Sequence, residues 1–213
     1  RVTDSMESEA LTDLLNNYLN EMAETASRFG GTVDKFIGDA IMVFFGDPES
    51  RGHQQDALYC VMMALEMRRL MVELRARWMA EGVNSPLQIR IGINTGYCTV
   101  GNFGSDNRLD YTIVGGEVNI AIRLESNAEP NTILVSESTY ALIKDKVSCV
   151  QVDDINAKGV DKPIKAYRVM DLVENLEGQM RHIQDEDSGF ILSVDMNVAS
   201  RERVTRALEN ALA

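Results

Sequence analysis

The tight turn at Gly38-Asp39, set between two short apolar runs, constrains this chain more than any other feature of its sequence. Thr32 to Ile37 is β-branched and aromatic, and Ala40 to Phe45 is apolar. The pair fits a β-hairpin with a two-residue loop and Gly at its first central position. Antiparallel pairing follows, with Asp39 at the hairpin tip. Asp is a good turn residue, which alone would account for it. A lone carboxylate between apolar strands otherwise has little structural reason to be there, and that marks Asp39 as a candidate for chemistry.

Helices and strands mix around this hairpin. From Glu7 to Arg28, Leu11, Leu14, Leu15, Tyr18, Leu19, Met22 and Ala26 recur at helical spacing, with Gly30 and Gly31 as the stop. Asp56 to Glu81 reads as a second long helix through Ala57, Val61, Ala64, Leu65 and Arg68, ended by Gly82, Asn84 and Pro86. Leu87, Ile89, Ile91 and Ile93 alternate with polar or small residues, the period of a strand with one buried face. Cys98 to Gly101 is expected to lead into a polar loop through Gly104, Ser105 and Asp106, followed by a short strand at Tyr111 to Val114. A helix at Glu117 to Asn127, a strand at Thr132 to Val135 and a helix at Ser138 to Ile143 come next, then strands near Val147 to Val152 and Lys165 to Met170. Without strict βαβ alternation, the pattern predicts an α+β fold with helices packed on a largely antiparallel sheet.

Beyond Val173 the texture changes. Gln179 to Gly189 is polar and acid-rich and reads as a linker. The alternation of Phe190, Leu192, Val194 and Met196 predicts a strand, and Val204, Ala207, Leu208, Ala211 and Leu212 a helix with Ser200 as N-cap. The expected organisation is a domain over residues 1–173 and, over residues 174–213, a linker with an appended strand and helix that close an edge or an interface.

Composition excludes some partners. A net charge of -12 and a pI near 4.6 argue against nucleic acid, whose binding is driven by clustered Lys and Arg. A small polyanion held by a few local cations stays open. Cys60, Cys98 and Cys149 lie far apart without CxxC spacing, which fits reduced core thiols in a cytosolic setting. No apolar run approaches the ~20 residues of a membrane-spanning helix. Because the chain opens at Arg1 rather than Met, a longer parent protein is expected.

Asn119 and Arg123 are four apart, so on a helix they share a face just after the Gly115-Gly116 turn. An amide and a guanidinium stacked in this way suit a cluster of anionic oxygens, and a solvated helix face is the ordinary alternative. Thr112 is a small hydroxyl on a strand that is otherwise apolar, and Lys158 precedes Gly159 in the loop before the last strand of the domain.

The segments DKFIGDAIMVFFG, IRIGINTGYCTVGNFGS, LDYTIVGGEVNIAIRLE and KGVDKPIKAYRV, in this order and spacing, resemble the catalytic domain of the class III nucleotide cyclases, and more closely the bacterial adenylate cyclases. The resemblance spans roughly Leu11 to Val169. It implies the class III cyclase fold and an adenylate cyclase that forms 3′,5′-cyclic AMP and pyrophosphate from ATP with two Mg²⁺ or Mn²⁺ ions per site. Asp39 matches the second of the family's two metal-binding aspartates. The first belongs to a strand and turn expected upstream of Arg1, so the domain as written is expected to be truncated and weak or inactive.

Lys35 and Thr112 match the purine-reading pair. An ammonium donates to adenine N1 and a threonine oxygen accepts from the N6 amine, whereas guanine typically takes Glu and Cys at these places. Arg123 matches the arginine that neutralises the α-phosphate in the transition state, Asn119 the amide that orients the ribose or attacking oxygen, and Lys158 the lysine that grips the terminal phosphates. In the family, the metal ligands and the Asn-Arg pair of one site come from different subunits, which implies a homodimer. The related bacterial cyclases are membrane-anchored or receptor-linked, so a cytoplasmic domain with a membrane or sensor domain upstream is the expected setting. A guanylate cyclase and a catalytically silent nucleotide-binding dimer are the alternatives. The Gly115-Gly116-Glu117 run does not make a diguanylate cyclase signature, because it enters a helix where that family needs a strand.

Overall fold

The computed structural model describes residues 8–83, 86–105, 107–155, 163–180, 182–187, 190–195 and 205–206. The first helix, α1 (Ser8–Phe29), sets one row of the core, because Leu14, Tyr18, Met22 and Ala26 follow one another at i,i+4 and are all buried. The strands β1 (Thr32–Ile37) and β2 (Ala40–Phe44) form the expected hairpin, with Ile37 paired to Ala40 across the two-residue turn. Helix α2 (His53–Ala80) follows. Its Met63, Met67, Met71, Leu74 and Trp78 pack on the α1 row, while Ala57, Val61 and Ala64 are also buried. On that second side Arg68 donates hydrogen bonds to the carbonyls of Val169 and Met170, at 3.3 and 2.6 Å. Each large apolar side chain fully withdrawn from water here contributes about 1.5–3 kcal/mol.

The chain continues through β3 (Ile91–Ile93), β4 (Thr99–Ser105), β5 (Arg108–Val114), α3 (Gly116–Asn127), β6 (Ile133–Ser136), α4 (Glu137–Ile143), β7 (Val147–Gln151) and β8 (Ala166–Leu172). A four-stranded sheet in the order β3-β6-β8-β7 forms the floor under α3. Its β6–β8 pairing is antiparallel and its β3–β6 pairing parallel. Antiparallel pairing also builds β1–β2 and β4–β5, so the architecture is α+β with mixed and antiparallel sheets. Under α3 lies a second core of Leu124, Ala128, Leu134, Ile155, Ile164 and Ala166. Ser136 caps α4, its hydroxyl accepting from the Thr139 amide.

Three local expectations need correction. The stretch after Cys98 is not a polar loop: Thr99–Ser105 pairs residue for residue with Arg108–Val114 in a long hairpin. Gly101, Asn102 and Gly104 are poor strand formers, and the ladder to β5 overrides their preference. The strand expected from Leu87 is regular only over Ile91–Ile93, although Ile89 is buried as its alternation demanded. The polar run Gln179 to Gly189 is not a bare linker either. The chain divides into two compact units, Arg1–Met170 and Asp171–Ala213. The second contains helix α5 (Val173–Met180) and the antiparallel pair β9 (His182–Asp187) and β10 (Phe190–Asp195). The acidic strand β9 is legible only once β10 is there to pair with it. Of the stripe from Val204 to Leu212, all but Thr205 and Arg206 lies outside the described residues, as do Ser200 and Met196. No helix among the described residues is long and apolar enough to cross a membrane.

Helix α3 sits directly on β3 because Gly92 has no side chain. A Cβ there would lie 2.2 Å from the carbonyl oxygen of Ala121 and 2.3 Å from the amide nitrogen of Glu125, both rigid helix backbone. Gly92→Ala is therefore expected to lift α3 and lower stability by about 1–3 kcal/mol, the usual cost of overpacking. Urea denaturation checks this, and an unshifted midpoint would mean that the helix can move off the strand without cost.

Candidate active site

The β1–β2 hairpin delivers Asp39 to an exposed tip. Gly38 takes φ +63°, which a side chain would resist although there is open space for one, so the turn needs glycine for its backbone alone. Behind the tip stands α1. There the Tyr18 phenol is pushed up to about 12, first by its own burial and second by the charge of Asp39.

Five residues before Asp39 in the same hairpin the ladder is irregular. Val33 pairs with Val43 and Lys35 with Met42, so Asp34 is the extra residue of a β-bulge. The side chain of Asp34 is 0% exposed, and its Oδ2 lies 3.6 Å from the Lys35 ammonium. The same oxygen accepts a 3.0 Å hydrogen bond from the Thr112 hydroxyl on β5, a residue only 7% exposed. The fold thus brings Lys35 and Thr112, far apart in sequence, onto one carboxylate. The loop after β2 is tied to the same region, since the Asp47 backbone carbonyl accepts from Thr32 at 2.7 Å and its carboxylate accepts from the Tyr111 hydroxyl.

Asn119 and Arg123 lie one turn apart on α3, Asn119 exposed and Arg123 partly buried. The first turn of α3 is held from outside: the Asn94 amide donates to the Glu117 carbonyl at 3.0 Å and to its carboxylate at 2.7 Å. Ser138 in turn donates to the Asn94 oxygen at 3.2 Å. Gly96 makes room for this clamp, because a Cβ there would meet the Glu117 side chain at 2.4–2.6 Å. Helix α3 rides on β3 and β6, whereas the hairpin rides on α1 and β5, so the two groups of candidate residues belong to different elements. Lys158 lies outside the described residues.

Sequence reasoning missed Asp34, Asn94 and Glu117. For Asp34 the one available signal was a charged residue inside a run of strand formers. For the clamp there was none, because its members meet only through tertiary contact. The cysteines stay out of the chemistry: all three are free, burial pushes Cys60 up to about 12 and Cys149 up to about 11, and Cys98 is raised by the same cause, so none is a ready thiolate.

Among the described residues no group of three or more His, Cys, Asp or Glu side chains is arranged to hold a metal ion. Asp39 offers one accessible carboxylate. That is compatible with Mg²⁺, which takes one or two carboxylates and completes its octahedron with substrate phosphates and water.

The family model for the adenylate and guanylate cyclase catalytic domain matches residues 1–171. The chain is 31% identical over 174 residues to the terminal-differentiation-specific adenylate cyclase of Dictyostelium discoideum, covering 79% of this chain and 8% of that protein. It is 29% identical over 173 residues to an adenylate cyclase of Anabaena cylindrica, covering 79% of this chain and 34% of that protein. It therefore spans about a third or less of these relatives' length. Among solved structures, the adenylyl cyclase CyaB from P. aeruginosa superposes with a TM-score of 0.78 at 56% identity, over 79% of this chain and 86% of that one. The guanylyl cyclase Cya2 superposes with a TM-score of 0.76 at 35% identity, over 81% and 86%. With four motifs in order, the cyclase architecture and a family model spanning the first compact unit, this chain belongs to the adenylate and guanylate cyclase catalytic domain family.

Proposed function

We propose that this chain is a cytoplasmic adenylate cyclase domain that converts ATP to 3′,5′-cyclic AMP and pyrophosphate at sites shared between two copies of itself. The observation that carries the choice of ATP is the meeting of Lys35 and Thr112 on Asp34. An ammonium is a donor and suits the lone pair of adenine N1, and a threonine oxygen can accept from the N6 amine. The similarity to CyaB and to named adenylate cyclases supports the same substrate. The similarity to Cya2 favours a second reading, guanylate cyclase. Comparing ATP with GTP turnover separates the two, and a preference for GTP would reject ours.

The reaction is an internal phosphoryl transfer. The ribose 3′-oxygen attacks the α-phosphorus and gives up its proton to water, while the bond from the α-phosphorus to the α,β-bridging oxygen breaks and pyrophosphate leaves with the electron pair. Divalent cations, Mg²⁺ or Mn²⁺, neutralise the phosphate charge and favour both the attacking and the leaving oxygen when bound. Asp39 is the residue of this chain assigned to hold them. The Arg123 guanidinium is assigned to the charge that grows on the α-phosphate, Asn119 to the orientation of the ribose, and Lys158 to the terminal phosphates. Since the electrostatic field of preorganised donors is the main protein contribution to such a step, the clamp on the first turn of α3 serves it by holding the helix that carries Asn119 and Arg123.

A second copy completes the site in this reading. Phe36 and Ile37 on β1, Phe103 on β4, Leu109, Tyr111 and Val114 on β5, and Ile122 on α3 are all exposed. β1 lies against β5, and β5 pairs with β4, so most of them sit on adjoining strands near the candidate residues. A monomer rarely leaves so many large apolar side chains in water, and a twofold copy of the same surface would cover them.

Three outcomes are expected. Asp39→Asn lowers cyclic AMP formation by at least ~100-fold, because the cation loses its anionic ligand; activity within a few-fold of the original would remove Asp39 from the metal site. Arg123→Ala lowers kcat by roughly 100-fold with little change in KM, as for a contact made chiefly in the transition state; a raised KM at constant kcat would reassign it to ground-state binding. Mixing the two inactive variants in equal amounts restores about a quarter of the activity, since half the dimers are mixed and each carries one intact site. Shared sites would be ruled out by a mixture as inactive as its parts.

A further inference from the structure

A threonine hydroxyl is a poor discriminator by itself. It carries one proton and two lone pairs, and by rotating it accepts from an amine or donates to a carbonyl with similar ease. Adenine presents an amine at the 6-position and an unprotonated N1; guanine and hypoxanthine present a carbonyl oxygen and a protonated N1. Thr112 alone therefore suits both kinds of purine. What it lacks is a reason for its proton to point in only one direction.

Asp34 supplies that reason. Its carboxylate is fully withdrawn from solvent, and it takes the Thr112 hydroxyl proton at 3.0 Å on Oδ2. The bond runs from the Thr112 hydroxyl to the Asp34 carboxylate, whose oxygens serve as acceptors. The threonine oxygen then has only lone pairs left to offer a base. Lys35 shares the same oxygen at 3.6 Å while remaining 42% exposed, so its ammonium is restrained at one side and keeps donors for a ligand. The second carboxylate oxygen, Oδ1, is buried with no hydrogen-bond partner among the described residues. A buried carboxylate with one oxygen unpartnered is an exception that calls for an explanation, and a role at the site supplies one. The β-bulge fits this, since the extra residue lets the Lys35 ammonium reach the carboxylate of its neighbour Asp34, a residue that would point to the opposite face of a regular strand.

We infer that Asp34 is a specificity-positioning residue: it holds the Thr112 hydroxyl as an obligate acceptor and the Lys35 ammonium as an obligate donor, so that the pair accepts 6-aminopurine nucleoside triphosphates and rejects 6-oxopurine ones. Asp34 itself touches no substrate. The inference rests on the cyclase reading above, in which Lys35 and Thr112 face the base.

The test measures kcat/KM for ATP and for inosine triphosphate, which differs from ATP only at N1 and the 6-position, in the unsubstituted protein and in Asp34→Ala. Once Asp34 is gone the hydroxyl can turn and donate to the 6-oxygen, so the ATP-to-ITP ratio is expected to fall by about tenfold, the size of effect that one buried hydrogen-bonding group has on discrimination. General damage to the fold would lower both nucleotides together and leave the ratio unmoved. Thr112→Val, close in shape but without the hydroxyl, is expected to lower the ratio as well. In that background Asp34→Ala is expected to change it by no more than about twofold, because the two residues act as one unit. An ATP-to-ITP ratio that survives Asp34→Ala in an active protein overturns the inference, as does an equal shift with and without the Thr112 hydroxyl. If Asp34→Ala does not fold, Thr112→Val decides alone, and an unaltered ratio in that variant overturns it. Absence of turnover with every nucleotide in the unsubstituted full-length protein would remove the cyclase reading and this inference together; turnover with an unmoved ratio removes the inference alone.

Discussion

Helix α2 is buried along two faces, and that double burial organises the first compact unit. Along one face Met63, Met67, Met71, Leu74 and Trp78 meet the α1 row of Leu14, Tyr18, Met22 and Ala26. Along the other, Ala57, Val61 and Ala64 are sealed, and Arg68 reaches the backbone carbonyls of Val169 and Met170 on β8. A helix with only one apolar stripe could carry the hairpin or the sheet, not both. Because α2 carries both, the β1–β2 hairpin, packed against α1, and strand β8 inside the four-stranded sheet share a common reference. The large flexible methionines suit this position, since they fill gaps between elements of different curvature.

From that frame the site elements are held by close contacts rather than by bulk. Gly92 lets α3 rest its backbone on β3, and Asn94 with Ser138 fixes the first turn through Glu117. The Asp34 carboxylate joins β1 to β5 through Thr112. Each is a polar or steric detail of a few ångströms that positions a side chain used, in our reading, on a nucleotide. The net charge of -12 does not oppose this. A triphosphate responds to the local field of Lys35, Arg123 and bound cations at a few ångströms, while distant surface carboxylates are screened within about 8 Å at physiological salt.

The features legible from the amino-acid order share a physical character: they are local. Gly38-Asp39 makes a two-residue turn because glycine tolerates positive φ and the flanking residues favour strands, and nothing outside Thr32 to Phe45 is needed to see it. The same holds for α1 and α2, whose apolar rows fix their buried faces. Where local preference and long-range pairing disagreed, pairing won. Gly101, Asn102 and Gly104 read as loop and form strand β4, because β5 offers a full ladder of partners. The acid-rich β9 reads as linker and forms a strand for the same reason.

Periodicity, turn chemistry and motif order are written along the chain, and they were enough to establish the hairpin with its aspartate, the helical face shared by Asn119 and Arg123, and the family. The folded arrangement alone made Lys35 and Thr112 meet, set a buried Asp34 between them, and steadied α3 with the Asn94-Glu117 clamp. The difference arises because a hydrogen bond depends on separation and direction in space. Residues on β1 and β5 acquire both only when a bulge turns one strand and packing presses it against the other.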